Sequence, residues 1–235
     1  MLLTIDCGNT ATKMALWQGD SIVRQWNEPD LPADIPGVDA AILSSVRKQA
    51  HIPAFLVALG PRFINLSSDT PLPIHIGYDT PRTLGADRIA AAVGAVRIAP
   101  PADDILVVDI GTAVTYDFIT ADKVFVGGNI APGINLRLKA LNQFTSALPV
   151  VDADGDTPLL GNSTATAMRS GAVRGIAAEI EYYYSQLLRR GTSITTIVTG
   201  GSAPLVKPFI SSPFILEPGL TMTGLKTILD YNENL

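Results

Sequence analysis

The chain has 235 residues, 47% of them apolar and 17% charged, a mix that buries a core and excludes a disordered segment. Seventeen basic against 22 acidic side chains leave a net charge of −5, which excludes a non-specific nucleic-acid binder and requires any anionic ligand to be held locally. The lone Cys7 excludes intramolecular disulfides and cysteine-cluster zinc sites, and His51 and His75 leave so little for metal chemistry that both read as structural. No HExxH, GxSxG, GxxxxGK[ST] or GxGxxG string occurs, which argues against zincin, serine-hydrolase, P-loop and dinucleotide-binding readings. No apolar stretch reaches the ~18 residues that a membrane span needs and no basic leader precedes Asp6, so a cytoplasmic protein with no membrane partner is expected.

The first element is a strand, turn and strand at Leu2 to Trp17, LLTIDCGNTATKMALW, in which an apolar run meets Asp-x-Gly, then Thr, then a second apolar run. Gly8 lets backbone approach a ligand, exposed amides and the Thr10 hydroxyl can donate to phosphate oxygens, and Asp6 can hold Mg²⁺ through water. Taken alone, the phrase is equally an Asx-rich hairpin turn. Pro29, Pro32 and Pro36 mark a surface connection. The turn-rich GYDTPRTLGADR, Gly77 to Arg88, then runs into an Ala-rich helix over Ile89 to Ile98. Asp87 falls at that helix's first turn, where it either caps the helix or accepts a proton from a substrate hydroxyl. Arg88 is either a surface charge or the partner of an anionic substrate group.

The opening phrase recurs at Leu106 to Thr120, LVVDIGTAVTYDFIT, with Asp109, Gly111 and Thr112 in the places of Asp6, Gly8 and Thr10. The two aspartates lie roughly 100 residues apart, about one ordinary domain, which predicts a duplication divided as residues 1–103 and 104–235. Two such hairpins facing each other would clamp a nucleotide's phosphates. GGNIAPG, Gly127 to Gly133, reads as a loop ahead of an amphipathic helix carrying Leu136, Leu138 and Leu141. GNST, Gly161 to Thr164, precedes a long helix in which Gly171 and Gly175 predict close helix packing, within the chain or between subunits, and Tyr182, Tyr183 and Tyr184 read as core or interface. Last, TTIVTGG, Thr195 to Gly201, predicts a strand ending in a bare Gly-Gly before a helix, suited to an adenosine ring or to a plain turn.

In this order, DCGNTATK, GADR, DIGTAVT, GGNIAPG, GNST and TGGSA resemble the type III pantothenate kinases across nearly the whole chain. Cys7 stands where an aliphatic residue is common in that family, and the chain is somewhat shorter than usual. The resemblance implies an α/β fold of two duplicated RNase H-like domains, the actin-like ATPase fold shared by acetate kinase, sugar kinases and heat-shock chaperones, with a nucleotide cleft between them. It implies ATP-dependent phosphorylation of pantothenate, the first step of coenzyme A biosynthesis. Asp6, Cys7, Gly8, Asn9, Thr10, Ala11, Thr12 and Lys13 would form the first phosphate loop, with Asp6 near Mg²⁺. Thr112 would contact ATP, and Asp109 would hold a monovalent cation, K⁺ or NH₄⁺. Tyr78, Gly85, Ala86, Asp87, Arg88 and Thr164 would line the pantothenate site, with Asp87 as catalytic base. A homodimer with the substrate site near the subunit interface is also implied. The rival readings are a superfamily kinase acting on a sugar or carboxylate, a non-catalytic accessory factor for transcription, and an ATP-driven assembly module.

Overall fold

A computed structural model describes residues 1–47 and 52–234; His51 lies outside them. In chain order the elements are β1 (Leu2–Cys7), β2 (Thr12–Gln18), β3 (Ser21–Asn27), β4 (Ala40–Ser45), α1 (Ala54–Val57), β5 (Phe63–Asn65), β6 (His75–Ile76) and α2 (Ala86–Ile98). After them come β7 (Asp104–Ile110), β8 (Ala113–Ile119), β9 (Val124–Pro132), α3 (Ile134–Phe144), α4 (Thr164–Leu188), β10 (Ile194–Thr199), α5 (Ala203–Val206), β11 (Ile215–Leu216) and α6 (Leu220–Glu233). Among the described residues no helix is long and apolar enough to cross a membrane.

The chain divides into two compact units, one of Met1–Ala99 with Asp122–Val126 and Gly219–Leu235, the other of Pro100–Ala121 with Gly127–Pro218. The first long stretch of the first unit ends at Ala99, and the chain's last helix belongs with its first strands. Packing of α6 on α2 is the physical reason. A Cβ on Gly224 would sit inside the Ala90 carbonyl and one on Gly94 against the Leu220 carbonyl, so the two helices meet backbone to backbone. Around that contact Ile89, Ala92 and Val93 of α2 and Leu220, Leu225, Ile228 and Leu229 of α6 are buried, each larger side chain contributing about 1.5–3 kcal/mol.

The first unit's sheet has the order β3-β2-β1-β4-β5, antiparallel from β3 to β1 and parallel from β1 to β5. Alternation along β1 decides what each face does. Leu3, Ile5 and Cys7 join Met14, Leu16, Leu43 and Leu56 in one apolar cluster. Thr4 and Asp6 point the other way, where the Thr4 hydroxyl donates to the Met222 sulfur of α6 at 3.2 Å.

The second unit repeats the plan with β7 and β8 as its hairpin and a sheet ordered β11-β10-β7-β8-β9. Leu106, Val108 and Ile110 of β7 pack against Ile134, Leu138, Met168, Val173, Ile176 and Ile180 from α3 and α4. GGNIAPG is not the loop its glycines suggest, because residues 127–132 are the body of β9. Glycine is required in that strand since a Cβ at Gly128 would strike the Tyr116 carbonyl and the Asp117 carboxylate. The first residues of β9 pair instead with β6, His75 opposite Val124, inside the first unit. Of the apolar side chains expected to bury on α3, only Leu138 does; Leu136 and Leu141 are exposed.

Among the described residues no helix of this chain packs backbone to backbone on Gly171 or Gly175. Gly171 faces open space, and Gly175 leaves room for the Arg137 guanidinium, 3.2 Å from where a Cβ would stand. The helix expected after Gly-Gly is the single turn α5.

Candidate functional site

In the first unit the turn between β1 and β2 is closed by the Gly8 N–H donating to the Ala11 carbonyl at 3.1 Å. Asn9 and Thr10 are exposed at its tip. Arg47 braces it from outside: Nε donates to the Gly8 carbonyl at 2.8 Å and Nη2 to Glu28 at 2.9 Å, while Glu28 accepts the Thr12 N–H at 2.8 Å. Thr12 is therefore occupied, since its N–H goes to Glu28 and its buried hydroxyl donates to the Cys7 sulfur at 3.7 Å. The Cys7 side chain faces the apolar cluster, and burial pushes its thiol pKa up. Only the backbone of Cys7 is available to a ligand on the Asp6 face.

Asp6 has a buried Oδ1 with no hydrogen-bond partner, and beside it in register Ser44 of β4 has a fully buried hydroxyl in the same condition. Burial, and then the Asp87 carboxylate, push the Asp6 pKa up to about 6, with Lys13 and Ser44 pulling the other way. Asp6 and Asp87 are thus close enough to repel, and the exposed Lys13, paired with Asp6 across the hairpin, carries the compensating charge.

Asp87 stands in the first turn of α2, as its sequence context indicates. Its Oδ1 accepts the Arg88 N–H at 2.8 Å and lies where a Gly85 Cβ would be, so glycine at 85 is demanded by the folded-back carboxylate. Ala86 is the first helical residue beside it. Arg88 is not a surface charge: it is 6% exposed, with its guanidinium carbon 5.8 Å from the Tyr78 ring centroid and 5.6 Å from that of Phe125. The two rings meet edge to face at 6.1 Å, so the guanidinium lies beside an aromatic corner that holds it by cation–π attraction. Tyr78, Gly85, Ala86, Asp87 and Arg88 are therefore gathered at the start of one helix. Phe125 comes from β9, far along the chain, and nothing in the local sequence marks it.

A cavity of about 540 Å³ also opens in this unit, lined by Ile5, Cys7, Met14, Leu43, Leu56 and Arg47 among others. It lies on the apolar face of β1, opposite Asp6.

In the second unit three glycine elements converge on the end of β7. The Gly111 N–H closes the β7–β8 turn on the Ala113 carbonyl at 2.9 Å, and the Gly133 N–H at the start of α3 donates to the Thr112 carbonyl at 2.9 Å. A Cβ at Gly133 would strike the Gly111 and Thr112 carbonyls. Gly200 takes φ +96° against the Asp109 carboxylate and the Ile110 backbone, where no side chain fits, whereas Gly201 faces open space. The uncapped N-terminus of α3 brings its dipole to this turn. Thr164 is the exposed first residue of α4, behind the capping Ser163.

Among the described residues no three His, Cys, Asp or Glu side chains form a metal cluster. A divalent ion that travels with a nucleotide needs only one or two carboxylates, the rest being phosphate and water. The buried unpartnered Oδ1 of Asp6 fits that demand.

A family model described as type III pantothenate kinase matches residues 30–186. The type III pantothenate kinase of Phocaeicola vulgatus is 38% identical over 243 aligned residues, which cover 100% of both chains. Among solved structures, a chain from Campylobacter jejuni described as a conserved Baf family transcriptional activator has a TM-score of 0.64 at 24% identity, over 99% of this chain and 100% of that one. The activator of 2-hydroxyisocaproyl-CoA dehydratase from Clostridium difficile, with bound ADPNP, has a TM-score of 0.58 at 12% identity over 99% and 96%. At these identities the two structures speak for the fold, which is that of the actin-like ATPases and sugar kinases.

Proposed function

Because the chain belongs to the type III pantothenate kinase family, we propose that it transfers the γ-phosphoryl group of ATP to the primary hydroxyl of pantothenate, opening coenzyme A biosynthesis. The observation that carries this reading is the pairing of two carboxylates with separate duties in the first unit. Asp6, whose buried Oδ1 has no hydrogen-bond partner, stands beside a glycine turn, and Asp87 stands at a helix start near Tyr78 and Arg88.

Phosphoryl transfer asks for alignment and charge neutralisation more than for covalent chemistry. In the first unit the amides of Asn9 to Ala11 and the Lys13 ammonium are assigned to phosphate, the Gly8 N–H being taken by the Ala11 carbonyl; in the second unit Thr112 and the Gly111 turn are assigned to ATP. Cys7 takes part through its backbone alone, and Thr12 supports the turn from behind. Asp6, with its buried unpartnered Oδ1, is the residue that would hold the Mg²⁺ arriving with ATP. Magnesium bound with ATP neutralises charge on the phosphoryl oxygens. Asp109 supplies an oxygen donor for a monovalent cation, K⁺ or NH₄⁺. Gly201, with open space before it, offers a bare backbone surface to the adenosine ring.

Asp87 orients the acceptor hydroxyl and takes its proton as the bond to phosphorus forms. Arg88 and Tyr78 hold the anionic end of pantothenate, and Thr164, from this chain or a partner subunit, is a further pantothenate contact. The expected homodimer has a physical motive, because Phe144, Val150, Leu159 and Leu160 of the second unit are each more than three-quarters exposed. The cytoplasm, where ATP is at hand, suits the free thiol of Cys7.

The test is incubation of purified protein with ATP, Mg²⁺, K⁺ and pantothenate, with mass detection of phosphopantothenate. Product that diminishes when Na⁺ replaces K⁺ supports both the reaction and the cation. ATP consumption with a sugar or another carboxylate, but not with pantothenate, overturns the substrate.

A further inference from the structure

Arg137 is used by nothing described so far, yet it sits at the junction of three elements of the second unit. Its Nε donates to the Pro132 carbonyl at 2.7 Å, at the end of β9. Its Nη2 donates to both carboxylate oxygens of Glu179 on α4, at 2.8 and 2.7 Å. The Tyr116 hydroxyl of β8 donates to the same Glu179 at 2.5 Å. Burial and that carboxylate push the Tyr116 pKa up, which keeps the phenol a donor. Gly175, one turn before Glu179, leaves the guanidinium its space. The side chain of Arg137 is only 18% exposed, so this ion pair is screened less than a surface one.

The carbonyl that Arg137 holds belongs to the residue before Gly133, whose N–H grips the Thr112 carbonyl. Four contacts in series therefore connect α4 to the turn: Glu179 to Arg137, Arg137 to Pro132, Pro132 through the peptide to Gly133, and Gly133 to Thr112. A one-ångström shift of Pro132 would pass directly into the Gly111–Thr112 backbone, because Gly133 has no slack against it.

We propose that Arg137, anchored by Glu179 and Tyr116, is a positioning residue that sets the second phosphate turn for ATP. This rests on the assignment of Thr112 and its turn to ATP binding. The readout is direct binding of a non-hydrolysable ATP analogue with Mg²⁺, measured by titration calorimetry on the full chain without pantothenate. Removing the guanidinium in Arg137→Ala is expected to weaken analogue binding about tenfold, and Arg137→Lys, which reaches one partner but not both, to recover part of that loss.

Arg169→Ala serves as the control, since Arg169 makes the same kind of contact with the Asp152 and Asp156 carbonyls elsewhere in the unit. It should lower thermal stability comparably while analogue affinity stays within about twofold of wild type. Should Arg137→Ala fail to fold, Glu179→Gln removes the anchor's charge with little change of shape and is expected to show the same selective loss. An analogue affinity within about twofold of wild type in a folded Arg137→Ala or Glu179→Gln overturns the inference. A wild-type chain that binds no analogue overturns the phosphotransferase reading, and this inference with it. Normal wild-type binding with unaltered variants refutes the positioning role alone.

Discussion

The two hairpin turns begin from nearly the same phrase and are braced differently. In the first, Gly8 to Ala11 separate the strands, and the support is an exposed ion pair, Arg47 with Glu28. In the second, only Gly111 and Thr112 separate them, and the support is steric: Gly133 against the turn's carbonyls, with Arg137 and Glu179 behind. One turn is held by charge at the surface, the other by backbone contact that permits no side chain. Duplication preserves the hairpin because its chemistry is local; the braces come from residues distant in sequence and have diverged.

The most severe break in this comparison concerns chemistry that only the first unit carries, since α2 opens with Asp87 and α3 with no acidic residue in its first turn. Asp87→Asn should lower turnover by about a thousandfold in a coupled ADP-release assay, with ATP-analogue binding retained. Retained turnover would return Asp87 to a capping role. Next in size, Gly133→Ala should destabilise the chain by about 2–3 kcal/mol in urea unfolding and abolish analogue binding, because its methyl meets backbone that cannot yield. Arg47→Ala should be milder, leaving thermal unfolding little changed and raising the KM for ATP several-fold. The wild-type contribution of Arg47 should shrink as salt rises, whereas that of Arg137 should persist. Equal salt dependence at both positions would erase the distinction drawn here. Smallest of all, Gly171→Ala, in open space on α4, should stabilise by about 0.5–1 kcal/mol in thermal unfolding.

What the sequence disclosed follows the same line between local and distant. Both hairpins, the helix with Asp87 in its first turn and the strand before Gly-Gly are legible, because apolar alternation and turn residues act over a few positions. Asp6 and Asp87 could be named as candidates from their places beside those signals. Their mutual repulsion needed the fold. GGNIAPG misled because glycine marks both loops and strands under close approach, and only the proximity of Tyr116 and Asp117 decides between them. Gly171 and Gly175 read as a helix seam, while the seam found within the chain uses Gly94 and Gly224, separated by just over half its length. Arg47, Arg137, Glu179 and Phe125 left no trace, because a side chain that grips a remote carbonyl or ring obeys no periodicity.

The return of α6 to the first unit sets an order of events during synthesis. The strands made first lack their covering helix until residues beyond Gly219 have left the ribosome, by which time every element of the second unit has already emerged. The Thr4 side of the earliest sheet therefore stays without α6 for nearly the whole of translation, while its Leu3 and Ile5 side can close early against Leu56.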